Sequence, residues 1–154
     1  MRPKGFLAAG LLIVGAALSA AQLITAPVSN PPVTGDISAP PQIESTLRRS
    51  CYDCHSNETQ WPWYSKVAPL SWMAAHDVAL GRKEVNFSEW RSYYPATRRR
   101  KLQWIGRAVH EEAMPQWWYR LMHRDAKLTP ADRLALERWV ESQLSGPENR
   151  PSNN

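Results

Sequence analysis

Cysteine is nearly absent from this sequence, which has only Cys51 and Cys54 among 154 residues. A disulfide between these close neighbours would need geometry that so short a spacing rarely adopts without strain. The chain also lacks a βαβ pattern around the pair, which a thioredoxin-like redox site would need. A zinc site needs four ligands, and the other three histidines are scattered singly, so zinc stays open as an alternative but is not indicated.

Other absences narrow the fold and the function. No internal repeat and no convincing strand is present, so the sequence predicts an all-α protein. The formal net charge of +5 is modest, and no basic helix with interleaved base-reading residues stands out, so nucleic acid is not expected as a partner. The length suits one domain plus a tail or anchor. Eight tryptophans suit the wall of a pocket for a large flat ligand, although most of them individually fit ordinary packing.

The two cysteines belong to one short motif, Cys51-Tyr52-Asp53-Cys54-His55. Two thiols three positions apart, followed directly by an imidazole, form the attachment pattern of a c-type haem. In this interpretation the sulfurs of Cys51 and Cys54 add to the haem vinyl groups, and His55 is the proximal iron ligand. The sequence therefore predicts one covalently bound haem c.

The N-terminal quarter of the chain is predicted to be two segments outside the domain. Residues 1–25 resemble a signal anchor, because Arg2 and Lys4 precede the apolar run of residues 6–24. Cleavage after a small-residue site at residues 19–21 is the alternative, which would make the segment a signal peptide. Residues 26–41 contain five prolines and are predicted to be an extended linker.

The haem-binding domain is predicted to span residues 42–145 as four or five helices, with a polar tail at 146–154. Gly81 is expected to end the second helix. The clearest helices are predicted from apolar periodicity, proline positions and caps at residues 42–53, 69–81, 96–113 and 130–144.

Two further stretches of the sequence suggest contacts with the haem or with a partner. The aromatic loop Trp61-Pro62-Trp63-Tyr64 is expected to cover one haem edge, which makes Trp61 and Trp63 candidate cofactor-binding residues. The basic run from Arg98 to Lys101 would suit an acidic partner or anionic lipid. A solvated helix face is the favoured interpretation of that run.

The sixth iron ligand is predicted to be Met114, which follows a helix and precedes Pro115. Proline favours a stiff loop there, and a loop can present a thioether to iron. His110, one helical turn earlier, is the alternative ligand, and an open site is the third option. Met73 and Met122 have apolar or aromatic neighbours and are expected to fill the core.

With these motifs in place, the chain resembles the bacterial haem-binding domain family, a cytochrome c-like group. The resemblance covers residues 30–144. It implies a covalent haem, an N-terminal membrane segment and a periplasmic setting, and its Met-Pro position matches Met114. It also implies that the first and last helices of the domain pack together near the haem, with Leu47 and Trp139 among their contacts. Besides the Cys51–His55 motif, it rests on residues 30–33, 61–64, 68–72, 86–90 and 114–115 and on the helix after 128–130.

The predicted function is electron transfer by a haem protein on the periplasmic side of a bacterial inner membrane, or in the periplasm if the N-terminal segment is cleaved. The expected partners are the membrane and a periplasmic or membrane-bound redox protein. An electron carrier is favoured over an enzyme. The alternatives are a peroxidase-like enzyme, with His110 or Glu111 as acid–base group, and a haem-based gas or redox sensor.

Overall fold

The computed structural model describes residues 4–24 and 26–146, and these residues form helices, turns and loops without a strand. The all-α prediction is therefore confirmed for that part of the chain. Three short 3₁₀ helices, at Trp63–Lys66, Phe87–Ser92 and Arg124–Ala126, join longer elements. The α-helices are α1 Lys4–Ala21, α2 Pro41–Ser50, α3 Tyr52–His55, α4 Leu70–Glu84, α5 Pro95–His110, α6 Trp117–Met122 and α7 Pro130–Ser145.

Local sequence signals set several helix starts. Helices α2, α5 and α7 each begin at a proline, a residue whose missing N–H costs nothing in the first turn. Thr129 caps α7: its hydroxyl accepts a hydrogen bond from the Asp132 amide, and its own amide donates to the Asp132 carboxylate. This reciprocal pair satisfies two amides at the helix start, which confirms the predicted beginning of the last helix.

The hydrophobic core lies between α2, α5 and α7. Helix α2 contacts α7, and Leu47 and Trp139 belong to the same buried cluster, so the predicted pairing of the first and last helices of the domain is confirmed. The most extensive helix packing, however, joins α5 to α7. Leu102 and Leu136 are almost fully buried in that cluster.

The helix boundaries differ from the prediction at two places that matter for the site. The helix predicted over 42–53 is divided at Cys51, whose φ of −132° separates α2 from α3. The domain therefore has six α-helices rather than four or five. Gly81 does not end the second helix but lies inside α4, which continues to Glu84.

Part of the basic run at the start of α5 is bound to the ends of neighbouring helices. Lys101 donates to the Glu84 carbonyl at the end of α4, and Arg99 donates to the Leu144 carbonyl near the end of α7 at 3.2 Å. Lys101 also lies 4.5 Å above the Tyr93 ring. Terminal helix carbonyls lack partners within their helix and carry partial negative charge, so these cations stabilise two helix ends.

The predicted linker is part of the domain. The amides of Thr34 and Gly35 donate to the Ser88 carbonyl, and the Ile37 amide donates to Phe87, all at 3.0 Å. The Ile37 side chain is buried in the core. Proline prevents helix here, but an extended chain can still pack, so the segment does not act as a free spacer.

Arg82 joins this segment to the chain that follows the cysteine motif. Its guanidinium donates to the carbonyls of Ser29 and Ser56 at 2.8 and 2.7 Å. It also donates to Asn30 Oδ1 and Thr59 Oγ1 at 3.0 and 2.9 Å. One half-buried side chain therefore fixes both segments to α4.

The N-terminal helix α1 exposes its apolar side chains. The Gln22 amide, just beyond its end, exchanges two hydrogen bonds with the backbone of Ala68, at 2.9 and 3.1 Å. Within residues 4–24 and 26–146, no helix combines the length and the apolar character needed to cross a membrane. The predicted anchor is therefore unsupported; Arg2 and the predicted tail from residue 147 onward lie outside the described residues.

Candidate functional site

A cavity opens between α3, α4 and α6, with about 820 Å³ of empty space that includes its opening to solvent. Cys51, Cys54, His55 and Met114 all line it. A smaller apolar cavity is also lined by Cys51, His55 and Met114. The fold therefore brings Met114, which is distant in the chain, to the same cavity as the three residues of the Cys51–His55 motif.

His55 is buried and held by the backbone of α4. Its Nδ1 lies 2.9 Å from the Gly81 carbonyl and 3.0 Å from the Val85 carbonyl. Carbonyl oxygens only accept hydrogen bonds, so Nδ1 carries the proton and Nε2 keeps its lone pair. Burial lowers the pKa of His55, which also favours the neutral imidazole. A neutral imidazole whose other nitrogen donates to a carbonyl is the form in which histidine binds metals.

Aromatic rings fix the plane of this imidazole. The ring centroid of Trp104 lies 5.9 Å from that of His55, and Phe87 lies 6.2 Å away. Phe87 is buried in the main core, whereas Trp104 lines both cavities. The orientation of His55 is therefore determined by packing as well as by hydrogen bonds.

Helix α4 approaches α3 closely because residue 81 is a glycine. A Cβ at Gly81 would lie 2.4 Å from the Cys54 carbonyl oxygen and 3.0 Å from Cys54 Cβ. No side chain fits at that distance, and the backbone of Cys54 cannot swing away as a flexible side chain could. The same close approach brings the Gly81 carbonyl within reach of His55 Nδ1.

Cys51 and Cys54 are not joined by a disulfide bond. Burial raises the pKa of each thiol to about 12. Both thiols are therefore protonated at neutral pH. Redox-active and zinc-binding cysteines need an accessible thiolate, so this environment does not favour the thioredoxin-like and zinc alternatives.

Met114 lies in a tight loop after α5. Glu112 has a φ of 55°, and the Met114 amide donates to the Ala108 carbonyl at 3.2 Å. Pro115 is buried beside the cavity. The loop directs the chain from the end of α5 across the cavity into α6, and Met114 lines both cavities.

Helix α6 is held against the site by residues that sequence analysis did not select. The Tyr119 hydroxyl donates to Asp53 Oδ2 at 2.6 Å, and the Tyr119 ring stacks on His123 with centroids 4.2 Å apart. His123 Nε2 lies 2.8 Å from the Tyr64 hydroxyl. The one feature of the sequence that could have indicated this contact is Asp53, a polar residue between the two cysteines. Because α6 follows Met114 directly, this chain of contacts also restricts the Met114 loop.

Replacing Tyr119 with phenylalanine should destabilise the domain by about 1–2 kcal/mol, because the Asp53 carboxylate loses a short hydrogen bond. Tyr94→Phe is the matched control, since the Tyr94 side chain is 81% exposed. Chemical denaturation of both variants measures the difference. Equal unfolding midpoints would show that the Tyr119–Asp53 bond does not hold α6.

Other candidate residues do not line the cavity. The Trp61 indole donates to Asn30 Oδ1 at 3.1 Å, and the Trp63 side chain is 69% exposed. The aromatic wall comes instead from Trp104, Trp118 and Tyr119. The expected role of Trp61 and Trp63 at a haem edge thus gains no support from their positions.

The alternative axial ligands also lie elsewhere. The His110 side chain is 80% exposed and lies 3.2 Å from Glu137. Met73 and Met122 are exposed on the surface, so the expectation that they fill the core is wrong. Among Met73, His110, Met114 and Met122, Met114 is the residue that lines the cavity.

The cavity has an acidic lining that sequence analysis missed. Asp53, Asp77 and Glu84 line it, whereas no lysine or arginine does so among the described residues. Two buried polar atoms of the lining, Asp77 Oδ2 and Ser50 Oγ, have no hydrogen-bond partner within the described chain. Burial raises the pKa of Asp77. Such orphaned atoms in an otherwise apolar cavity suit a ligand that carries polar groups at its edge.

A comparison with known protein families gives a match to the haem-binding domain over residues 11–142. Comparisons with curated proteins and with solved structures gave no match. The family match covers most of the chain and includes the cavity with its cysteines, His55 and Met114. The chain belongs to the haem-binding domain family.

Proposed function

We propose that this protein is a one-haem electron carrier of the cytochrome c type. Cys51 and Cys54 would hold the haem through thioether bonds, and His55 and Met114 would supply the imidazole and the thioether that bind its iron. The bound haem supplies one-electron redox chemistry, and a thioether ligand raises its reduction potential. The observation that carries the proposal is the orientation of His55, whose Nδ1 donates to two carbonyls while both thiols and Met114 line the same cavity.

The residues of the site fit a covalently attached haem. The thiols are reduced and protonated, which is the state that adds across a vinyl group. The imidazole is neutral with Nε2 available. Leu80 and Trp104 supply apolar wall, which suits the flat apolar face of a porphyrin.

Electron transfer fits the site better than peroxidase-like catalysis. Peroxide chemistry needs an acid–base group close to an open iron position. His110 and Glu111, the two candidates for that role, are exposed and do not line the cavity. Met114 lines it instead, which supports a site with two protein ligands.

The proposed location is the periplasmic side of the inner membrane, with the N-terminal apolar segment as the export signal. The partners in this proposal are the membrane and a periplasmic or membrane-bound redox protein. Helix α6 supports a docking surface close to the haem: Trp117 and Leu121 are about two-thirds exposed, whereas Trp118 and Tyr119 on the same helix line the cavity.

Covalent attachment is tested by acid–acetone extraction of the denatured protein after expression with the c-type haem maturation machinery. The haem should stay with the polypeptide, and Cys51→Ala together with Cys54→Ala should release it into the solvent. Met114→Ala is the matched control, because it changes an axial ligand and leaves both thioethers. Extraction of haem from the unmutated protein would contradict the proposal.

The proposed location has its own test. A reporter enzyme that is active only in the periplasm, fused after Asn154, should be active in cells. Activity of a cytoplasm-specific reporter at the same position would contradict the location. Fractionation of the same cells shows whether the protein remains with the membrane.

A further inference from the structure

The three carboxylates of the cavity have different environments. Asp53 accepts hydrogen bonds from the Tyr119 hydroxyl at 2.6 Å and from the Gln60 amide at 2.8 Å. Glu84, at the end of α4, is exposed. Asp77 differs from both, since its Oδ2 is buried without a hydrogen-bond partner in the described chain. Asp77 is therefore the carboxylate of this cavity whose negative charge receives the least stabilisation from hydrogen bonds or from water.

We propose that Asp77 takes up a proton when the bound haem is reduced and releases it on oxidation, so that this protein couples electron transfer to proton transfer. The inference rests on the proposed function and goes beyond it. One electron passes from an external one-electron donor to the iron, and one proton passes from water to a carboxylate oxygen of Asp77. Oxidation reverses both transfers, so charge and atoms balance.

The coupling follows from electrostatics. Reduction removes one positive charge from the iron site, and an ionised carboxylate in the same cavity then loses a favourable interaction. The interaction is strengthened because Asp77 Oδ2 is buried and the cavity has no lysine or arginine among its described lining residues. Proton affinity at Asp77 must therefore be higher in the reduced protein than in the oxidised protein.

The other titratable groups around Asp77 do not replace it as the group that binds a proton when the haem is reduced. Burial raises the pKa of Tyr64 to about 12 and raises that of Tyr119 further, so both stay neutral. His76, the neighbour on α4, lowers the pKa of Asp77, but burial outweighs it. The titratable and charged groups on α4 besides Asp77 are His76, Arg82, Lys83 and Glu84. Those on α3, on the 3₁₀ helix Trp63–Lys66, on α6 and on the cavity wall are Cys51, Tyr52, Asp53, Cys54, His55, Tyr64, Lys66, Tyr119 and Arg120. The Arg82 guanidinium does not line the cavity and donates to oxygens of Ser29, Asn30, Ser56 and Thr59.

The test is the midpoint potential of the haem-loaded protein, measured against pH with dithionite as reductant. In the unmutated protein the potential should fall as pH rises through the titration of Asp77, because the ionised carboxylate stabilises the oxidised state. One proton per electron gives a limiting slope of about 59 mV per pH unit. Asp77→Asn should have a higher potential at neutral pH and lose this slope. Glu141→Gln, the matched control at an exposed carboxylate of α7 that does not line the cavity, should keep it.

Two outcomes would overturn the inference. A potential independent of pH in the unmutated protein would exclude coupling, and a slope that persists in Asp77→Asn would assign the proton to another group, such as a haem propionate. A pH-indicator dye gives an independent measure, since reduction of the unmutated protein should remove protons from a weakly buffered solution. Absence of uptake would refute the proposal even if Asp77→Asn does not fold. Failure of the proposed function is distinct, because the protein would then carry no covalent haem.

Discussion

Replacing Gly81 with alanine is expected to destabilise the domain by about 2–4 kcal/mol, although alanine is the better helix former. A helical alanine gains about 1 kcal/mol over glycine in propensity. Against this gain, the new Cβ would lie 2.4 Å from the Cys54 carbonyl oxygen, and α3 and α4 would have to separate. Separation would also weaken the hydrogen bonds from His55 Nδ1 to Gly81 and Val85. We therefore expect altered axial ligation as well as lower stability.

Gly106→Ala is the matched control for this prediction. Gly106 also lies inside a helix, but its nearest contact would be the Val140 Cγ1 atom at 3.2 Å, part of a side chain that can shift. The free energy of unfolding of Gly106→Ala should differ from that of the unmutated protein by no more than about 1 kcal/mol. Chemical denaturation measures the stability of both variants, and the visible spectrum measures haem ligation. If Gly81→Ala were as stable as Gly106→Ala, the close approach of α4 would not be needed.

The parts of the site that sequence predicted are those defined by local chemistry. The Cys51–His55 motif has a fixed spacing, so its residues stay together in any fold. Thr129 with Asp132 marks a helix start through contacts three residues apart. Met114 was identified because Pro115 forces a loop at that point. In each case the signal and the structure it produces lie within a few residues of one another.

The parts that sequence missed depend on contacts between distant segments. Glycine often ends a helix, so Gly81 was expected to end the second helix. The close approach of Cys54 explains why a glycine lies within α4 instead. The aromatic clusters at 61–64 and 117–119 look equivalent in sequence, but only the second reaches the cavity. Asp77 is one acidic residue among fourteen, and burial of its Oδ2 alone distinguishes it. Tertiary packing, rather than local propensity, determines all three.

Met114→Ala is expected to shift the iron from low to high spin and to allow rapid binding of carbon monoxide. Met114 lines both cavities with His55, so its removal should leave one axial position without a protein ligand. Loss of a soft thioether should also lower the reduction potential, since that ligand stabilises ferrous iron. Truncation of a partly buried methionine should further cost about 2 kcal/mol of stability. Optical spectra of the oxidised and reduced protein and carbon monoxide binding rates measure these changes.

Surface methionines and the alternative ligand provide the controls that make the Met114 experiment decisive. Met73→Ala and Met122→Ala should leave the spectrum nearly unchanged, because both side chains are exposed. His110→Ala should also preserve the low-spin spectrum, because His110 lies beside Glu137 on the surface. A low-spin spectrum that survives Met114→Ala but is lost in His110→Ala would require α5 to rearrange when haem binds and would establish a bis-histidine site. An unmutated protein that is already high spin and turns over peroxide rapidly would instead favour the enzyme, because Met114 would then not occupy the sixth position.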